Sequence, residues 1–183
     1  MFPSDQHIKV LNDLVWFERL FSATNLCLCD HIIKMYEIRP HPSGFPISAT
    51  LGAVDRDNLT EIPFYTAYAY LEIYEDRVCI IDFFSRIEGR GNARRLYQTL
   101  FRFILDLNKS QLFCIERVTG SLSPADISKW PKLINLYSDA RYNLKDCRFD
   151  LTNGCEKCTT AEILLNTTKY LNQYLHFSVH IPL

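Results

Sequence analysis

The chain has 183 residues, 48% of them hydrophobic and 22% charged, with a formal net charge of −1. This is ordinary globular composition at a length that suits one domain with a real core, and the charge balance gives no global pull toward nucleic acid or an anionic membrane. The start lacks a basic-then-apolar leader, no apolar run approaches membrane-spanning length, and seven cysteines without framework spacing point to a reducing cytosol, a host cytosol included.

Residues 5–20 are predicted to be helical, with Ile8, Leu11, Leu14 and Val15 on one face and Asp5 as the cap. Thr24 or Asn25 caps a second predicted helix that runs to about Tyr36. Three prolines and a glycine make Arg39 to Pro46 a loop. Ile47 to Val54 reads as a strand, followed by the polar turn Asp55 to Asn58. Phe64 to Tyr74, rich in Tyr and Ile, reads as a stronger strand. Glu75-Asp76 connects it tightly to Arg77–Phe84, an apolar run read as a buried strand. The two strands are expected to form an antiparallel hairpin.

Apolar residues at helical spacing follow, from Arg95 to Leu105. Gln111 to Val118 reads as the next strand, so strand, turn, helix and strand make a βαβ unit with a parallel pair. Ser123 to about Leu144 looks helical, and Cys147 to Leu151 suits another strand before the Asn153-Gly154 turn. Thr159 to Glu162 is a capping-box pattern. Ile163, Leu164, Tyr170, Leu171, Tyr174 and Leu175 recur at a spacing that predicts an additional C-terminal helix. Phe177 to Ile181 is the delayed last strand.

Two close cysteine pairs exist, Cys27 with Cys29 and Cys155 with Cys158. The first spacing is unusual for half of a zinc site and the pairs are distant in sequence, so the thiols are read as incidental and no metal is expected.

The richest stretch is Arg86-Ile87-Glu88-Gly89-Arg90-Gly91-Asn92-Ala93-Arg94-Arg95. A Gly-x-Gly turn between a strand and a helix lets backbone N–H groups point outward together. The helix dipole adds partial positive charge, which suits a phosphate or pyrophosphate. The arginines match phosphate oxygens geometrically. A P-loop is excluded because no Gly-Lys-Ser/Thr follows, and a dinucleotide fingerprint fails because Arg94 stands at its third glycine.

This segment resembles the acyl-coenzyme-A loop of the GNAT superfamily of N-acyltransferases, written Gln/Arg-x-x-Gly-x-Gly/Ala between the fourth strand and third helix. Two registers fit. Arg86 to Gly91 matches every letter, whereas Glu88 to Ala93 misses the first. The family has apolar residues three and four positions beyond its last Gly/Ala. From Ala93 those are Leu96 and Tyr97, so the second register is favoured. It leaves Glu88 where the family has Gln or Arg. Further on, Ile134-Asn135-Leu136-Tyr137-Ser138-Asp139-Ala140-Arg141-Tyr142 resembles the family's Asn…Leu-Tyr-x-x-x-Gly-Phe, with Arg141 in place of the glycine. The resemblance covers about Phe64 to Leu151.

The resemblance implies an α/β fold with a central, mostly antiparallel sheet, a splayed parallel strand pair, flanking helices and, in this chain, the extra C-terminal helix, all in one domain over residues 1–183. It implies an acyl-coenzyme-A donor, acetyl-coenzyme A first, and direct transfer to an amine on a protein or small molecule. The coenzyme would lie on backbone amides of Phe83, Phe84 and Ser85 and on Glu88, Gly89, Arg90, Gly91, Asn92, Ala93 and Arg94. Tyr137 would be the general acid toward the leaving thiolate. Glu116 ranks first as the base, ahead of Glu72 and Asp82, with His31 and His41 read as surface histidines. Acyl-chain length, the acceptor and a homodimer stay open. The alternative is a non-catalytic, effector-type binding module on the same fold, motivated by Glu88, Arg141 and the unusual terminal thirds.

Overall fold

Alternation builds the N-terminal sheet. The computed structural model describes residues 31–55, 65–86, 91–109, 113–138, 147–152 and 173–182. The chain falls into two compact units, Met1–Ile115 and Glu116–Leu183.

In the first unit, β1 (His31–Pro40), β2 (Ile47–Asp55), β3 (Tyr65–Ile73) and β4 (Arg77–Ser85) form an antiparallel meander. On β2 and β3, Ala49, Leu51, Ala53, Ala67, Ala69, Leu71 and Ile73 are buried at every second position, as the two-residue period of a strand requires. The alanines keep this surface low, and α1 (Asn92–Lys109) packs against β2, β3 and β4. α1 contributes Leu96, Leu100, Phe101, Phe103, Ile104 and Leu107, all nearly inaccessible. Burying each such side chain contributes about 1.5–3 kcal/mol.

The β3–β4 hairpin forms as expected, with Tyr74 N–H donating to Arg77 O at 2.8 Å across the turn. β4, however, is buried only in its first half. Val78 and Ile80 are core residues, whereas Ile81 is 54% exposed and Phe84 46% exposed. The cause is a β-bulge: Tyr70 pairs with Asp82 and Leu71 with Ile80, so Ile81 is an extra residue on β4.

Asn108 imitates a strand neighbour for Ile115: its Nδ2 donates to Ile115 O at 3.0 Å, and Ile115 N–H donates to its Oδ1 at 2.8 Å. Cys114 N–H donates to Glu75 O at 2.9 Å. The apolar run at Phe113–Glu116, expected to be strand, is thus held without regular pairing.

The second unit is an antiparallel sheet with β7 (Leu175–His180) between β5 (Arg117–Leu122) and β6 (Arg148–Thr152). One face buries Val118, Leu122, Leu151, Leu175, Phe177 and Val179. A 3₁₀ turn (Pro124–Lys129) capped by Ser123 leads into α2 (Trp130–Ser138). Trp130, Ile134 and Tyr137 of α2 are buried. The opposite face is polar: Ser121 Oγ lies 2.8 Å from His176 Nδ1, and Asp150 accepts from Arg148.

The fold class is mixed α/β with antiparallel pairing inside each unit. The expected parallel pair takes one strand from each unit and remains an expectation. Several boundaries differ from expectation. His31–Tyr36 is strand rather than helix, because β2 supplies a partner that local sequence does not reveal. β5 starts at Arg117, so Glu116 precedes the strand. Leu175 opens β7 instead of closing a helix. The predicted helices at 5–20 and 24–30, the Asp55–Asn58 turn beyond Asp55, Arg141, Tyr142, and the C-terminal helix before residue 173 lie outside the described residues.

Candidate functional site

The first turn of α1 is the best-defined part of the candidate site. Gly91 has φ +75°, a left-handed conformation that side chains disfavour, and it is exposed. A Cβ built there would meet nothing within 4 Å, so the backbone faces open space. Arg95 N–H donates to Gly91 O at 3.0 Å and closes the first turn. The N–H groups of a first turn have no acceptor inside their own helix.

The charges here run against the usual helix pattern. The first turn of α1 contains no acidic residue and carries Arg94 and Arg95. Cations at a helix N-terminus are unfavourable by about 0.3–1 kcal/mol each. A bound anion would reverse that sign.

Asn92, the first residue of α1, is only 3% exposed, and its Nδ2 has no hydrogen-bond partner. A buried unmade donor costs about 1–3 kcal/mol. Asn92→Leu is therefore expected to stabilise the ligand-free protein by about 1 kcal/mol or more, read as a higher unfolding midpoint in denaturant. An unchanged or lower midpoint would mean that the amide is satisfied in solution.

Beyond this turn, Leu96, Tyr97 and Leu100 are buried, whereas Arg94 is exposed. The apolar part of the inward face of α1 thus begins at the third position after Ala93, one turn beyond the buried Asn92, and Ala93 itself is half-buried. Glu88, Gly89 and Arg90 lie outside the described residues. Phe83 and Ser85 are half-buried at the end of β4, on the strand's core side opposite Ala69 and Ala67, and Phe84 projects from the other face beside Tyr68.

In the second unit, Tyr137 is 4% exposed and its ring stacks on Phe177 with centroids 4.1 Å apart and planes 15° apart. Glu116 is exposed, and its backbone oxygen accepts from Ile181 N–H at 2.7 Å.

The remaining acid–base candidates divide by partner. Glu72 accepts from the Tyr74 hydroxyl at 3.0 Å. Asp82 accepts from the Tyr68 hydroxyl at 2.9 Å. Each tyrosine hydroxyl is held above its usual pKa, first by that hydrogen bond, then by burial and the carboxylate's charge. Both tyrosines therefore remain proton donors well into the alkaline range. His41, in an exposed loop, places Nδ1 2.7 Å from Ser43 Oγ. His31 opens β1. Sequence reasoning singled out Asp82 but missed its tyrosine; the signal was the two-residue repeat Tyr68, Tyr70, Glu72 on one face of a strand.

Among the described residues no three His, Cys, Asp or Glu side chains gather to hold a metal ion. Among the described residues no disulfide joins Cys79, Cys114 and Cys147, and Cys27, Cys29, Cys155 and Cys158 lie outside the described residues. No described helix is long and apolar enough to cross a membrane.

No family model matches the sequence, and no curated protein matches it. Among solved structures the chain is similar to the crystal structure of nourseothricin acetyltransferase, at 11% sequence identity and a TM-score of 0.43. The match covers 88% of this chain and 93% of that one.

Proposed function

We propose that this chain is an acyl-coenzyme-A-dependent N-acyltransferase, with acetyl-coenzyme A as the first donor to test, in which both units serve one domain. The carrying observation is the start of α1. A left-handed, exposed glycine opens an 18-residue helix whose first turn has two arginines and no acid. Backbone N–H groups, helix dipole and arginine side chains all favour an anionic group there. The apolar buried face starting at Leu96 supports the register in which Gly91 and Ala93 are the last two small residues of the loop. The coenzyme pyrophosphate then takes the amides from Gly89 to Arg94, with Arg90 and Arg94 adding charge. Glu88 works against binding in this reading.

The bulge at Ile81 supports a role for the end of β4, since bulges re-aim a strand and interrupt its pairing. Phe83, Phe84 and Ser85 follow it directly, and their backbone is assigned to the thioester. Tyr137 is assigned as general acid for the leaving thiolate. Asp82, with its tyrosine partner, joins Glu116 as a base for the amine. Transfer is direct: the neutral amine attacks the thioester carbonyl, the C–S bond breaks, and the thiolate takes a proton as the amine loses one.

The testing experiment is calorimetric titration of the full chain with acetyl-coenzyme A. Saturable one-site binding is expected, followed by thiol release with an amine panel. Absence of binding at high ligand concentration would sink the assignment. A second reading, a binding module that does not transfer acyl groups, is favoured by the packing of Tyr137 against Phe177. Coenzyme binding without thiol release would select it.

A further inference from the structure

The β3–β4 hairpin has two ends, and the same device occurs at both. Near the turn, the Tyr74 hydroxyl donates to Glu72, and the Arg77 guanidinium sits 4.1 Å from the centre of the Tyr74 ring. Carboxylate, tyrosine hydroxyl and a ring face carrying a cation stand together, and there the cation is the chain's own. At the other end, the Tyr68 hydroxyl donates to Asp82 at 2.9 Å, and the Tyr68 ring stacks on Phe84 with centroids 5.5 Å apart. The register sets Tyr70 opposite Asp82 and Tyr68 opposite Phe84, so all four side chains share the face away from buried Ala69 and Leu71. Directly opposed strand residues have Cβ atoms about 4.5–5.5 Å apart, within reach of aromatic side chains.

The Asp82 carboxylate is exposed and has no basic partner among the described residues. Phe84 beside it is 46% exposed, turned outward by the bulge at Ile81. The tyrosine hydroxyl fixes one carboxylate oxygen, Oδ2, and leaves Oδ1 as an acceptor. A carboxylate oriented among aromatic rings is the chemistry that holds an organic cation: the carboxylate takes the N–H donors, and the ring faces take the charge and the adjoining methylenes. An inorganic metal ion would lack ligands here, since among the described residues no three His, Cys, Asp or Glu side chains gather.

We infer that Asp82, Tyr68, Tyr70 and Phe84 form a binding site for an alkylammonium group. This rests on the acyltransferase reading for its role: the acceptor is then a primary alkylamine that arrives as its ammonium. Asp82 and the ring faces bind the cation, and Tyr68 positions the carboxylate.

The test uses the full chain without coenzyme, titrated calorimetrically with 1,5-diaminopentane and, separately, with uncharged 1-pentanol. Saturable binding of the diamine and none of the alcohol are expected. Asp82→Asn is expected to weaken the diamine by about tenfold or more, and Phe84→Leu, which keeps bulk but removes the ring, by about two- to fivefold. Asp82 and Phe84 are exposed, so both variants are expected to melt as the parent does. No saturable diamine binding, equal binding of the alcohol, or an unchanged Asp82→Asn affinity would overturn the site. The two proposals separate cleanly. Coenzyme binding without amine binding keeps the acyltransferase reading and removes this site; amine binding without coenzyme binding keeps the site and removes that reading.

Discussion

Gly91→Glu is expected to abolish acetyl-coenzyme A binding while leaving the protein folded. Space around Gly91 is open, and a Cβ there meets nothing within 4 Å. The cost to folding comes from φ +75° alone and amounts to about 1–2 kcal/mol. For a chain of this size that is a drop of a few degrees in the unfolding midpoint, about 2–4 °C per kcal/mol. Binding responds differently. The new carboxylate stands at the start of α1, where the backbone donors and the dipole favour an anion. Steric filling and like-charge repulsion act together against a pyrophosphate. A loss of at least a hundredfold is expected, equivalent to about 2.7 kcal/mol.

Gly91→Ala is the companion that makes this result interpretable. It carries the same backbone strain without the charge. If both variants lose the same few degrees and only Glu loses the ligand completely, charge at the turn is the cause. If Ala abolishes binding too, the ligand approaches the backbone more closely than a methyl allows. Full affinity in Gly91→Glu would remove the turn from any coenzyme site, and the argument from α1 with it.

The parts of this structure that were legible in the sequence are those set by local period. The alternation of Ala67, Ala69, Leu71 and Ile73 is written as every second residue, and the inward stripe of α1 from Leu96 to Leu107 is written as three and four. Elements decided by a distant partner were not legible. His31–Tyr36 is a strand because Thr50 to Asp55 lies alongside it, a pairing with no local marker. Ile115 looks like a strand residue and is buried like one, yet its backbone is satisfied by the Asn108 side chain. The candidate site divides along the same line. The glycine turn could be read from residue types. The pair Tyr68 and Asp82 depends on the extra residue Ile81, which shifts the register of β4 by one, and a register shift is invisible until both strands are placed.

The second large effect concerns Tyr137. A general acid toward a leaving thiolate contributes about 10²–10⁴-fold, so Tyr137→Phe is expected to lower turnover by that order. Coenzyme affinity should not change, because the phenol is assigned to a step after binding. The geometry makes this substitution unusually clean. Tyr137 is 4% exposed and its ring lies flat on Phe177, at 4.1 Å and 15°. Phenylalanine preserves that stacking and the volume it fills. Only the hydroxyl is lost, at a folding cost of about 0.5–1.5 kcal/mol for one hydrogen bond. Tyr137→Leu, by contrast, keeps an apolar group but breaks the stack, and is expected to destabilise as well as inactivate. Turnover and stability therefore separate the two roles of this residue. A Phe variant with full turnover and a Leu variant that unfolds early would make Tyr137 a core ring of the second unit and nothing more. A Phe variant that folds, binds coenzyme and turns over hundreds of times more slowly would place the proton on Tyr137, since no other property of the side chain has been changed.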